Sequence, residues 1–388
     1  MASGIRDPLL REIRERSSAP RAPARAFVHL RVHSAYSLLE GALPLGKIIG
    51  HAVKDRAPAI AITDTNNLFG ALEFAQKAAK EGVQPIVGCL LDVAFCDAGG
   101  DGQRHAQRRQ GGADTHPLVL IAATETGYGN LVRLVSKAYL DVPAGGPPHV
   151  EAGWLDGLSD GVICLTGGER GPVGAALKAD QQAQAEARLL LLKRYFGDRL
   201  YVELQRHRGY DRTVEAGSID LAYAHDLPLV ATNEAFFPTA DDYEAHDALL
   251  AIADGSVVAV DDRRRLTPDH HLKSQAEMAA LFADLPEAVD STIEIARRCS
   301  YYPQTRGPIL PRFTGADASD AEAALSAEAE ELARQAREGL DARLAAHGPT
   351  AGYTEADYRE RLEFEISVIT RMKYPGYFLI VADFIKWA

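Results

Sequence analysis

Short continuous apolar runs recur through the first 240 residues, each followed by a polar loop and then an amphipathic stretch. The runs are Val28–Val32, Ala59–Thr63, Pro85–Cys89, Leu118–Ala122, Val162–Leu165, Leu200–Leu204 and Leu229–Thr232. Runs of this kind are the mark of strands buried on both faces. Helical stripes lie between them. Leu45, Ile48, Ile49, Ala52 and Val53 share one face, Leu68, Leu72, Ala75 and Ala79 another, and Leu131, Leu134, Val135 and Ala138 a third. Ala183–Phe196 and Thr213–Ala224 continue the alternation. Strand alternating with helix predicts a parallel sheet with helices packed outside it. Seven units predict a closed or nearly closed β/α barrel, with an open doubly wound sheet as the alternative.

Two segments interrupt the pattern. Leu91–Phe95 reads as an extra strand leaving the barrel. Asp97–Thr115 is Gly-rich and polar without an apolar period, and reads as a surface insertion. After Ala240 the chain turns helical, through Asp241–Ala253 and then Glu287–Arg298 behind Pro286. Gln304–Thr314, with Pro303, Pro308 and Pro311 in or beside it, reads as a linker. A long Ala/Glu/Arg helix over Ala321–Ala346 ends at His347–Gly348. Thr354 and Asp357 form a capping-box pattern before a helix over Tyr358–Met372, which Pro375–Gly376 breaks. The main boundary falls near the linker or slightly before it. The division is a flexible basic arm (1–25), a barrel domain (26–285), and a linker with a mainly helical remainder (286–388). The final apolar run, Tyr377–Ala388, ends without a cap or polar tail, which points to the front part of a longer protein.

Composition narrows the function. The chain has 388 residues and a formal net charge of -12, which argues against a general nucleic-acid coat. The arm carries Arg6, Arg11, Arg14, Arg16, Arg21 and Arg25 against Asp7, Glu12 and Glu15, and reads as a solvated tail. Cys89, Cys96, Cys164 and Cys299 make no CxxC pair, so reduced, buried thiols and a cytoplasmic location are expected. No apolar run is long enough to span a bilayer. GGDG and GGERG lack the context or the lysine of a phosphate loop.

The chemistry-bearing residues sit where strands end: His33, Ser34 and Ser37 after the first, and Asp64, Thr65 and Asn66 after the second. Five stretches carry a family resemblance. FVHLRVHSAYSLLEGA (27–42), AIAITDTNNLFGALEFAQKAAKEGVQPIVGC (59–89), TGYGNLVRLVSKAY (126–139), PLVATNEAFF (228–237) and YPGYFLIVADFIKWA (374–388) resemble, in order, the opening third of the alpha subunit of bacterial DNA polymerase III. The resemblance implies an α/β fold: a seven-unit distorted β/α barrel, the polymerase-and-histidinol-phosphatase (PHP) domain, followed by a mainly helical segment opening the polymerase palm. It also implies a metal cluster at the strand ends in active members, where closely spaced cations generate hydroxide and clamp phosphate.

Position by position, this sequence departs from that ligand set. The family's His-x-His becomes Arg31 and His33, and its Asp-His becomes Asp64 and Thr65. Leu90 stands for a Glu, Pro117 for a His with His116 beside it, Gly168 for a Cys, and Glu234 with Phe236 for Asp-x-His. His33, Asp64 and Glu234 remain as ligand types, too few to hold a cluster, and a guanidinium at Arg31 repels cations. Arg31 is expected to pair with Asp64 or Glu234 instead. His246 reads as a packing or helix-face residue and His207 as a surface-loop residue.

The resemblance implies DNA-directed DNA synthesis by the full-length protein, on primer-template DNA with dNTPs. Magnesium would be held by palm aspartates beyond Ala388, and no cofactor is expected in the barrel. The implied partners are the proofreading exonuclease subunit, for which the barrel would be a platform, the sliding clamp and other replicase subunits, with no membrane. The rival reading is a stand-alone PHP-type phosphoesterase or 3'-5' exonuclease.

Overall fold

The computed structural model describes residues 25–95, 115–143, 146–307, 311–313 and 321–388. The basic arm up to residue 24, Cys96 and the insertion up to residue 114 lie outside the described residues. The chain forms two compact units, Met1–Thr305 and Arg306–Ala388.

The first unit is built on β1 (Ala59–Thr65), β2 (Gln84–Ala94), β3 (Thr115–Ala122), β4 (Val150–Glu151), β5 (Val162–Leu165), β6 (Leu200–Gln205) and β7 (Leu229–Thr232). They neighbour one another in the order β1-β2-β3-β5-β6-β7, with β4 on β2. The extended segment 27–34 closes the ring. On one side Ala61 N donates to the His29 carbonyl (2.8 Å); on the other His33 N donates to the Ala235 carbonyl (2.9 Å). That segment and six strands give the seven-unit barrel.

The all-parallel expectation fails at β3, which is antiparallel to both β2 and β5. Leu91–Ala94 is not a separate strand. It prolongs β2, which pairs with β3 from Gly88↔Ile121 to Ala94↔Thr115. The apolar pattern of a strand buried on both faces is the same in either direction, so it carries no signal of polarity.

Between the bonds Ala61 N to His29 O and Thr63 N to Val32 O, β1 advances two residues while the first segment advances three. One extra residue is a bulge, and it reverses the side-chain alternation. Val28 and Leu30 therefore join an inner core with Ala61, Ile86, Tyr201 and Val230. Val32 turns outward against Ile60 and Ile62. Arg31 and His33 then face inward, above that apolar layer.

The helices are α1 (Leu45–Asp55), α2 (Ala71–Lys80), α3 (Glu125–Leu140), α4 (Pro172–Lys178), α5 (Gln182–Phe196), α6 (Arg212–Ala224), α7 (Tyr243–Ala253), α8 (Gln275–Leu281) and α9 (Pro286–Arg298). Thr124 caps α3 by accepting from Gly127 N at 3.1 Å. Helix α9 belongs to the barrel, not to the remainder that the sequence placed after residue 285. Its Ile295 and Ala296 join the inner core, and Thr292 Oγ1 accepts from Val28 N at 3.0 Å. Cys89, Cys164 and Cys299 are buried free thiols.

The second unit consists of α10 (Ala321–His347), α11 (Glu355–Arg371) and α12 (Pro375–Trp387). Gly348, at φ +65°, ends α10, and Thr354 and Asp357 form the capping box of α11. Buried Glu328 packs against Gly376, where a Cβ would come within 2.8 Å of its carboxylate.

Candidate functional site: a buried charge cluster at the barrel mouth

The inward-facing side chains change character along the barrel. Below lies the apolar layer; above it lie four charges. The fully buried Arg31 donates through Nη1 to both oxygens of Glu203 (3.1 and 3.2 Å) and through Nη2 to Glu234 Oε1 (2.7 Å). Glu203 also accepts from Gly167 N (2.9 Å) and from the Thr232 hydroxyl. Arg170, half exposed, reaches in to pair with Glu234. Two guanidinium groups thus balance two carboxylates. Burial alone would lower the Arg31 pKa, but Glu203 and Glu234 outweigh it and the proton is held more tightly than usual. Burial likewise pushes Glu234 up, but Arg170 and Arg31 hold it well below the usual carboxylate range.

The polar loop after the first segment binds Asp64. Its Oδ1 accepts from Ser34 N (2.7 Å) and the Ser37 hydroxyl (2.7 Å), and its Oδ2 from the Ser34 hydroxyl (2.8 Å). Burial pushes the Asp64 pKa up, and these hydroxyl donors oppose the shift. Asp64 is therefore satisfied by its own loop and is not a partner of Arg31. Of the two carboxylates expected for Arg31, the structure supplies Glu234 and adds Glu203.

His33 has a defined tautomer. Its Nδ1 lies 3.2 Å from Ser37 Oγ and 3.3 Å from Thr65 Oγ1. Both hydroxyls already spend their protons, Ser37 on Asp64 and Thr65 on Glu40 (2.8 Å). Nδ1 is therefore the donor, and Nε2 carries a bare lone pair. That Nε2 is buried without a hydrogen-bond partner, 3.8 Å from Glu234 Oε1. Phe236 stacks on the ring at 4.2 Å with planes 3° apart. Burial pushes the imidazole down to about 3, so it is neutral.

A cavity of about 600 Å³ opens at this mouth. His33, Thr65, Leu90, Pro117, Glu234 and Phe236 line it; Arg31, Asp64 and Gly168 do not. Leu90 and Pro117 contribute no ligating atom. Gly168, at φ +62°, packs its Cα against the Gln205 side chain, where a Cβ would come within 2.6 Å of Oε1. Among the described residues no three His, Cys, Asp or Glu side chains converge as a metal-holding group.

Two histidines at the cavity escape sequence reasoning. His207 is not a free surface residue: it stacks on His270 at 3.7 Å and donates through Nε2 to the Asn233 carbonyl (2.6 Å). His270 accepts at Nδ1 from Thr267 N (3.2 Å), and burial pushes it down to about 3. Neither has a spacing signal, because each meets its partners only through the closed ring. His246 is buried, and its Nε2 donates to the Glu40 carbonyl at 2.6 Å.

Residues 29–207 match the PHP domain family, and residues 330–388 match the family described as the bacterial DNA polymerase III alpha NTPase domain. The chain is 49% identical over 368 residues to the DNA polymerase III subunit alpha of Caulobacter vibrioides, covering 94% of this chain and 31% of the relative. To the same-named subunit of Escherichia coli K12 it is 37% identical over 369 residues, covering 93% and 30%. The chain thus spans about a third of the length of these relatives. An amidohydrolase structure from Chromobacterium violaceum aligns at 15% identity over 54% of this chain and 88% of that one. Its TM-score of 0.38 is too low to bear on the fold. By sequence, this chain matches about a third of the length of bacterial DNA polymerase III alpha subunits, and it is to that family that it is most clearly similar.

Proposed function

We propose that the chain is the front part of the polymerising subunit of a bacterial replicase, and that its barrel is a metal-free docking platform for the proofreading exonuclease subunit. The observation that carries the second half is the Arg31 guanidinium between Glu203 and Glu234. A cation at this mouth would need those carboxylate lone pairs, and a permanent charge already holds them. Asp64 is likewise saturated, by the serines of its own loop. The donor set does not fit a metal cluster, and no step is assigned to one in the barrel. In the full-length protein, template-directed synthesis from dNTPs would use magnesium held by palm aspartates outside these residues. Primer-template DNA, the sliding clamp and the other replicase subunits would be its partners. No described helix is long and apolar enough to cross a membrane, which accords with a cytoplasmic replicase.

Metal analysis and a phosphoesterase assay on the purified 388-residue chain, beside primer extension by the full-length protein, test this reading. The expected result is substoichiometric metal and no phosphoester hydrolysis by the chain, with extension by the full-length protein that chelation of magnesium abolishes. Stoichiometric manganese or zinc, with hydrolysis lost on chelation, would establish the phosphoesterase reading instead.

A further inference from the structure

Helix α12 in the second unit is amphipathic in the reverse sense. At about 100° per residue, Leu379, Asp383 and Lys386 (i, i+4, i+7) share one side. Tyr377, Val381, Phe384 and Ile385 (i, i+4, i+7, i+8) share the other, flanked by Phe378 and Trp387. The side that carries both charges of the helix is the one turned to α10. Leu379 is buried on it, Lys386 Nζ donates to Gln335 Oε1 (2.8 Å), and Gly376 lies against the buried Glu328 carboxylate. The aromatic side turns away: Tyr377, Phe378, Phe384, Ile385 and Trp387 each expose 45–91% of their surface.

The orientation is fixed at both ends of the helix. Gly376 holds the first turn, where any Cβ would come within 2.8 Å of Glu328, and Lys386 holds the last. Rolling α12 to bury its aromatics against α10 would break both contacts and carry Leu379 into water. The unit therefore keeps a contiguous aromatic face outward, and a face of this kind marks a contact made with something else.

Physical chemistry selects the occupant. A helix lying in a lipid interface keeps a side rich in lysine and arginine in water. Here Lys386 is the one base of the helix and is spent on α10. A second copy must be recruited from solution, whereas a segment of the same polypeptide is present at an effective concentration on the order of millimolar. The match covers only 31% and 30% of two relatives, so most of each relative lies outside it. We infer that the aromatic side of α12 is an interior face of the full-length protein, covered by polypeptide that follows residue 388. The face runs from Tyr377 to Trp387, about 15 Å at 1.5 Å per residue, which suits the aliphatic side of one short helix or of a strand pair. The inference rests on the front-part reading above and adds to it the surface against which the rest of the chain packs.

Hydroxyl-radical footprinting of the 388-residue chain beside the full-length protein tests this. Oxidation of Trp387 should fall about tenfold in the longer protein, from the rate of a side chain 91% exposed to that of a core residue. Phe384→Asp should lower the melting temperature of the full-length protein and leave that of the 388-residue chain unchanged, a split that an idle surface position would not give. Equal oxidation of Trp387 in the two proteins, in a full-length protein that extends primers, overturns this inference and leaves the front-part reading standing. Protection already present in the 388-residue chain, and lost on dilution, assigns the face to a second copy and overturns it as well. A native polypeptide whose mass ends it at residue 388 overturns the front-part reading, and this inference with it.

Discussion

Removing the Arg31 guanidinium would leave Glu203 wholly buried with only neutral donors, and Glu234 with only the half-exposed Arg170. Arg31→Met is therefore expected to destabilise the barrel by about 3–5 kcal/mol, read as a lowered urea midpoint. Adding Glu203→Gln should recover part of that loss, because it removes the stranded charge; a double variant no more stable than Arg31→Met would refute the pairing. The buried histidines set a pH dependence. His29, His33 and His270 titrate at about 3 in the fold because burial opposes their charged form, against 6.5 when exposed. Between those values the unfolded chain takes up protons that the folded chain refuses. Stability is thus full above the unfolded value and lost as pH falls, by about 1.4 kcal/mol per pH unit for each histidine. Glu234, depressed in the fold, adds loss of the same sign once pH falls below the ordinary carboxylate range. Urea midpoints measured from about pH 7 to about pH 5 should fall steadily, and less steeply in His33→Asn; a flat profile would contradict the burial. The site was partly legible in the sequence. A lone arginine inside FVHLRVH demanded a carboxylate, and Glu234 was found by the family pattern. Glu203 gave a matching signal, a lone acid inside the apolar LYVELQ run, and the two could have been paired on that ground alone.

Elements of the barrel are fixed by close backbone approaches as much as by caps, and the two should differ in cost. A Cβ on Gly41 would sit 1.9 Å from the Ser34 carbonyl oxygen, which is backbone and cannot rotate away. Gly41→Ala should therefore displace the loop that binds Asp64 and cost at least about 2 kcal/mol. Thr124→Ala removes only the hydroxyl that accepts from Gly127 N, and should cost about 1 kcal/mol. Chemical denaturation of the two variants checks the order, and equal costs would mean that the loop relaxes freely. At this scale the periodicity of apolar runs found all seven ring members, because burial on both faces leaves a local trace. It missed the direction of β3, since strand polarity depends on the return path and not on the strand's own pattern. It also missed the bulge. A strict two-residue period places His29, Arg31 and His33 on one face, whereas the extra residue sends His29 outward to the Lys273 carbonyl and leaves Arg31 and His33 inside.

Over the whole molecule the balance of charge bears on what the chain contributes to a replicase. Its formal net charge is -12, and the arginines nearest the mouth are held by carboxylates: Arg170 by Glu234, Arg263 by Asp247 and Arg264 by Glu40. Affinity for duplex DNA grows with the number of phosphates that free cations neutralise, and each neutralised phosphate adds about one unit to the slope of log K against log salt. A barrel mouth whose arginines are spent internally offers few such contacts. The chain alone should bind primer-template DNA weakly, with a slope shallower than about -2, even though its first 25 residues carry six arginines. Fluorescence anisotropy across a salt series measures this directly. A slope steeper than about -5 would show that the chain is itself a DNA-binding module. If deleting residues 1–25 then removed that slope, the contact would belong to the basic arm; if not, the barrel itself would face the nucleic acid.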